Sequence, residues 1–106
     1  MTCIILEKVR FAAAKRILFL PHAVKQMSKP ERMIKAEEVY CVVMSGQIIE
    51  DYPEDVRGHS CLIRGFGADK RPIHVVCSPK EDYLAIITAY LPSKKEWSND
   101  FTRRRV

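Results

Sequence analysis

Ser60-Cys61-Leu62-Ile63-Arg64-Gly65-Phe66, Gly67-Ala68-Asp69-Lys70-Arg71 and Pro72-Ile73-His74-Val75-Val76-Cys77-Ser78 follow one another along the chain. Apolar and β-branched residues fill the outer two stretches, and a glycine and charges fill the middle one, so the segment reads as a β-hairpin. A loop of five residues, 67–71, is too short for a crossover helix, which makes the arms antiparallel. It pairs Phe66 with Pro72 and sets Arg64 opposite His74. Strand alternation then puts His74 beside Val76 and opposite Ile73, Val75 and Cys77. A further strand, Tyr83 to Leu91, follows Pro79-Lys80-Glu81-Asp82. With an odd-length loop, Thr88 and Tyr90 join the His74 face; a slip of one residue sends them to the other side.

Upstream the period changes at Gly46. Gln47 to Tyr52 is a strand ended by Pro53, whereas Lys35 to Ser45 has helical spacing and buries Ala36, Val39, Val42 and Val43. Glu37 and Glu38 lie near the positive end of that helix, and Gly46 takes the place of a C-terminal cap glycine. Residues 3–14 form another helix with Ile5, Val9, Ala12 and Ala13 on one face, and Ile17 to Leu20 form a short strand. Pro21 opens a helix from His22 to about Ser28, which Lys29-Pro30 ends. The order predicts a single α+β domain over residues 1–106. Its N-terminal helices pack on one face of a four- to five-stranded, mostly antiparallel sheet.

The composition agrees with one globular domain: 106 residues, 47% hydrophobic, with few Gly and Pro. No apolar run reaches the roughly 20 residues of a membrane span. The start Met1-Thr2-Cys3-Ile4-Ile5-Leu6-Glu7-Lys8 lacks the basic and greasy regions of a signal peptide, so a cytoplasmic location is expected. Cys3, Cys41, Cys61 and Cys77 contain no CxxC pair and sit among apolar residues, as reduced structural thiols do. No metal site and no cofactor motif is expected: GxGxxG, GxxxxGK[ST] and HExxH are all missing. The acidic run Glu50 to Asp55 spans a proline and reads as a surface turn.

Net charge is +5, unevenly placed: +6 over residues 1–35, −5 over 36–69 and +4 over 70–106. Two basic segments around an acidic middle could fold into one positive face that attracts a polyanion such as RNA; the other reading is an ordinary solvated surface. His22, at the start of a helix, and His74, within a strand, are the informative histidines. With Arg64 opposite His74 and Thr88 and Tyr90 alongside, they would make a metal-independent ribonuclease site, in which a base activates the 2′-hydroxyl and Arg stabilises the phosphate. A strand histidine between Ile and Val has a second, structural reading as a hydrogen-bonded core residue, and His22 has one as a structural residue at a helix start. Trp97 and Phe101 read as pins for the tail, and Arg103-Arg104-Arg105 as a solubilising end or a phosphate contact.

Several motifs occur together. They are His22-Ala23, Met27, Glu31-Arg32-Met33-Ile34, Glu38-Val39 and Gly46-x-Ile48-Ile49-Glu50-Asp51-Tyr52-Pro53-Glu54-Asp55. Arg57-Gly58-His59-Ser60-Cys61-Leu62, Arg71-Pro72-Ile73-His74-Val75-Val76, Ile86-Ile87-Thr88-Ala89-Tyr90-Leu91-Pro92, Trp97, Asp100-Phe101 and Arg103-Arg104 follow. From about Leu6 to Arg104 the chain resembles the bacterial family called domain of unknown function 4258. That family is similar to the RelE/ParE-like toxin ribonucleases, whose helices pack on an antiparallel sheet. The resemblance implies His22 and His74 as general acid or base, Tyr90 as a positioning hydroxyl, Arg32 and Arg103 as phosphate contacts, and Thr88 as a further site residue. RNA is the implied substrate and an antitoxin the implied protein partner. A non-catalytic module binding a protein or small ligand on the same sheet face is the alternative. Access to His74 separates the two, because a fully buried His74 has no catalytic role.

Overall fold

The computed structural model describes residues 4–106. The helices are α1 (Ile4–Lys15), α2 (Pro21–Met27) and α3 (Ala36–Ser45). The strands are β1 (Ile17–Phe19), β2 (Gln47–Tyr52), β3 (Ser60–Phe66), β4 (Pro72–Pro79) and β5 (Leu84–Tyr90). Cys3, expected to start the first helix and to be a buried thiol, lies outside the described residues. No helix among those described is long and apolar enough to cross a membrane.

The five strands lie in the order β1-β5-β4-β3-β2. The hairpin β3–β4 has the expected register, with Phe66 opposite Pro72 and Arg64 opposite His74. Tyr90 pairs with His74 and Thr88 with Val76, so all of these share one face. The sheet is mixed, however, because β1 runs parallel to β5 from Ile17↔Leu84 to Phe19↔Ile86. Loop length orders only neighbours in sequence, and β1 joins a strand from the other end of the chain.

The helices cover one face. Val9 and Ala12 of α1, Ala23 of α2 and Val39, Val42 and Val43 of α3 form one core with Ile63, Ile73, Val75, Cys77 and Ile86. Within α3 the apolar stripe is shifted by part of a turn from the expected one: Ala36 is exposed and Glu38 is buried. Glu38 is a structural anchor. Its carboxylate accepts from Lys35 N (3.0 Å), Ala68 N (2.8 Å), and Arg71 Nε (3.0 Å) and Nη2 (2.7 Å). Arg71 also donates to the Arg32 carbonyl (2.6 Å) and the Met33 carbonyl (2.9 Å). The pair thus ties α3, the β3–β4 turn and the α2–α3 loop together.

Gly46 does follow α3, but not as a left-handed cap; its backbone is extended (φ −80°, ψ −177°). Glycine is needed there for close approach, since a Cβ would lie 2.5 Å from the Val42 carbonyl oxygen and 2.7 Å from that of Arg64. Cys61 and Cys77 are buried, free and directly opposite each other in the β3–β4 ladder. Hydrogen bonding to Cys61 and burial push the Cys77 thiol upward. Cys41 departs from the buried-thiol expectation, lying exposed on α3.

Candidate functional site

The C-terminal tail, residues 91–106, crosses the sheet face that the helices leave free. Trp97, 2% exposed, packs edge-on against His74 at 4.4 Å between ring centroids. Phe101 adopts a left-handed backbone (φ 62°), and its carbonyl accepts from His74 Nε2 at 2.8 Å. Arg104 stacks over Trp97 (4.7 Å) and grips Glu50 through Nε (2.7 Å) and Nη2 (3.1 Å). Tyr52 Oη donates to the same Glu50 carboxylate. The tail is therefore pinned by Trp97 as expected, while Arg104, within the triplet read as a solubilising end, is an anchor.

This arrangement corrects the catalytic reading of His74, which is 0% exposed. Because a carbonyl only accepts, Nε2 carries the proton and Nδ1 accepts from Tyr90 Oη at 3.2 Å. Both ring nitrogens are occupied, and Tyr90 is used in holding the ring. Burial, reinforced by the nearby Arg64 and Arg104 charges, pulls the His74 pKa from 6.5 down to about 4.

Stability follows from that shift. Between pH 6.5 and 4 the unfolded chain binds a proton at this position that the folded one does not. The neutral His74 contribution is whole above pH 6.5 and fades as pH falls toward 4. The loss is expected to reach about 3 kcal/mol. Urea midpoints at pH 7 and pH 4, compared in the wild type and in His74→Asn, measure it. An equal pH slope in both proteins would refute it.

Outside the residues of the tail, the free face opens into a cleft of about 430 Å³ lined by His22, Tyr52, Asp55, Arg57, Val76, Ile87 and Thr88. The β4–β5 register shifts between Val76 and Cys77, and this bulge lets both Ile87 and Thr88 line the cleft. His22 is exposed at the start of α2, which Pro21 opens. Opposite, Asp55 accepts Arg57 Nε and Nη2, both at 3.0 Å, the Arg57 amide at 2.9 Å and Ser60 Oγ at 2.6 Å. Arg57, followed by Ser60, holds the Asp55 carboxyl well below its ordinary range. Burial and the Glu50 carboxylate raise the Tyr52 hydroxyl to about 12, so it stays protonated.

Of the expected site residues, the cleft unites only His22 and Thr88. Arg64, His74 and Tyr90 form a row across β3, β4 and β5 at the tail-covered end. Arg64 bonds Gln47 at 3.0 Å and lies over Phe66 at 4.9 Å. Arg32 is held elsewhere, by Gln26 at 2.6 Å, and Arg103 lines a separate depression with Ser98, Asn99 and Asp100. The cleft is charge-balanced, not uniformly positive, because Asp55 answers Arg57. Sequence reasoning missed Tyr52, Asp55 and Arg57. The signal for Asp55 and Arg57 was Asp55-Val56-Arg57-Gly58, an Asp whose side chain accepts the backbone amide two residues on.

No curated protein and no solved structure matches the chain. A family match covers residues 19–91, a span running from the last residue of β1 past the end of β5 that contains every cleft residue and leaves out the tail after Leu91. The chain therefore belongs to the family described as Domain of unknown function (DUF4258).

Proposed function

We propose that this protein is a metal-independent endoribonuclease of RelE-like type, acting on RNA in the bacterial cytoplasm and held in check by an antitoxin. One observation carries the reading: His22 is exposed and shares an open cleft with Arg57, Thr88 and Tyr52. An imidazole moves protons near neutral pH, and a guanidinium stabilises a phosphorane. In this reading His22 takes the 2′-hydroxyl proton as that oxygen attacks the adjacent phosphorus. The P–O5′ bond breaks, solvent protonates the leaving oxygen, and the products are a 2′,3′-cyclic phosphate and a 5′-hydroxyl. Thr88 offers a hydroxyl to the same substrate. His74 and Tyr90 serve the reaction only by holding the tail and sheet in place.

Single-stranded RNA incubated with the purified chain in EDTA tests this. His22→Ala is expected to lower the cleavage rate by roughly 10²- to 10⁴-fold, the usual contribution of a general acid–base group. Lys8→Gln, exposed on α1 and outside the cleft, is expected to cleave like wild type. Equal cleavage by all three proteins, or none by the wild type, overturns the reading.

A further inference from the structure

We infer that the loop from Asp55 to Ser60 is a preassembled clamp for a phosphate group, with Arg57 as its fork. The inference rests on reading the cleft as a substrate site and names what that site grips. Asp55 takes the Nε and Nη2 side of the guanidinium. That geometry leaves the Nη1–Nη2 end, a second pair of parallel donors, for an anion with two oxygens.

The clamp is fixed from below as well. Gly58 has φ 103°, the left-handed region that favours glycine, and its amide bonds the Asp55 carbonyl at 2.9 Å. A Cβ there would lie 2.7 Å from Lys80 Nζ. That ammonium donates to the Arg57 carbonyl, and Ser78 Oγ donates to the His59 carbonyl at 2.8 Å. The loop backbone is thus fastened to β4 and its neighbouring turn at the Arg57 and His59 carbonyls, one on each side of Gly58. A guanidinium held at one side by a carboxylate, which is itself held by a hydroxyl and an amide, loses little freedom on binding. The apolar floor of Val76 and Ile87 beside it suits the body of a nucleotide, whose phosphate would face the fork.

The test is a titration of the labelled full chain with inorganic phosphate, followed by NMR at constant ionic strength, beside RNA cleavage kinetics. Binding should shift the Arg57, Ile87 and Thr88 amides. Arg57→Lys keeps the charge but loses the fork, so phosphate affinity should fall on the order of tenfold. Asp55→Asn should also weaken binding. A purely electrostatic site would respond oppositely, because this change removes a negative charge. Lys8→Gln, on the exposed side of α1, should bind as wild type does. Unchanged affinity in Arg57→Lys, or tighter binding in Asp55→Asn, overturns the clamp. Phosphate binding that depends on Arg57 without RNA cleavage overturns the ribonuclease instead. Cleavage that depends on His22 but is indifferent to Arg57→Lys, in both KM and kcat, overturns the clamp alone.

Discussion

Trp97→Ala is expected to destabilise the protein by about 3–5 kcal/mol, the cost of emptying a large buried aromatic site. Trp97 is 2% exposed and supplies the edge-on wall for His74. Its loss also removes the ring over which Arg104 lies, loosening the grip on Glu50. A domain of this size has only about 5–15 kcal/mol in hand, so the urea midpoint should fall by a large fraction. A second readout separates loss of the tail from general loosening. Once water reaches His74, its NMR titration should move from about 4 toward 6.5. A variant that loses stability while His74 still titrates near 4 would show that the tail stays in place without Trp97.

Arg71→Ala should cost about 3 kcal/mol at pH 7, because it strands a buried carboxylate. The Glu38 side chain is 8% exposed and that of Arg71 is 30% exposed. The Arg71 hydrogen bonds, working against burial and helped by the Lys35 and Ala68 amides, draw the Glu38 pKa from 4.5 to about 2. The sign follows: a depressed carboxylate stabilises the fold above pH 4.5, and that contribution is lost as pH falls through 2. The gap between wild type and Arg71→Ala should therefore narrow on acidification, measured by urea denaturation from pH 7 to pH 3. Glu38→Gln combined with Arg71→Met should recover part of the loss, since no charge is then left buried. A gap independent of pH would place the effect of Arg71 in its bonds to the Arg32 and Met33 carbonyls.

The hairpins were legible because their information is local. A polar connection between residues 67 and 71 and strict alternation set Arg64 opposite His74, and the ladder has that pairing. The helices were legible for the same reason, down to Pro21 at the start of α2. What alternation does not reveal is which sheet face stays open. Arg64, His74, Thr88 and Tyr90 share one face, yet His74 is sealed from solvent and Thr88 lines the cleft. The difference lies in the tail, which reaches His74 through the Phe101 carbonyl, a main-chain group that no side-chain pattern encodes. Arg57 was missed for a related reason: its partner Asp55 sat in a run that reads as an ordinary polar turn.

By itself the sequence determined the element order and the β3–β4 register, both set by spacings of a few residues. Only the tertiary structure decided the parallel pairing of β1 with β5, the burial of His74 and the meeting of His22 with Arg57 and Thr88. Each of these joins segments far apart along the chain. Such contacts depend on how the whole core closes, with the tail laid across the sheet, and periodicity within one segment carries no trace of them.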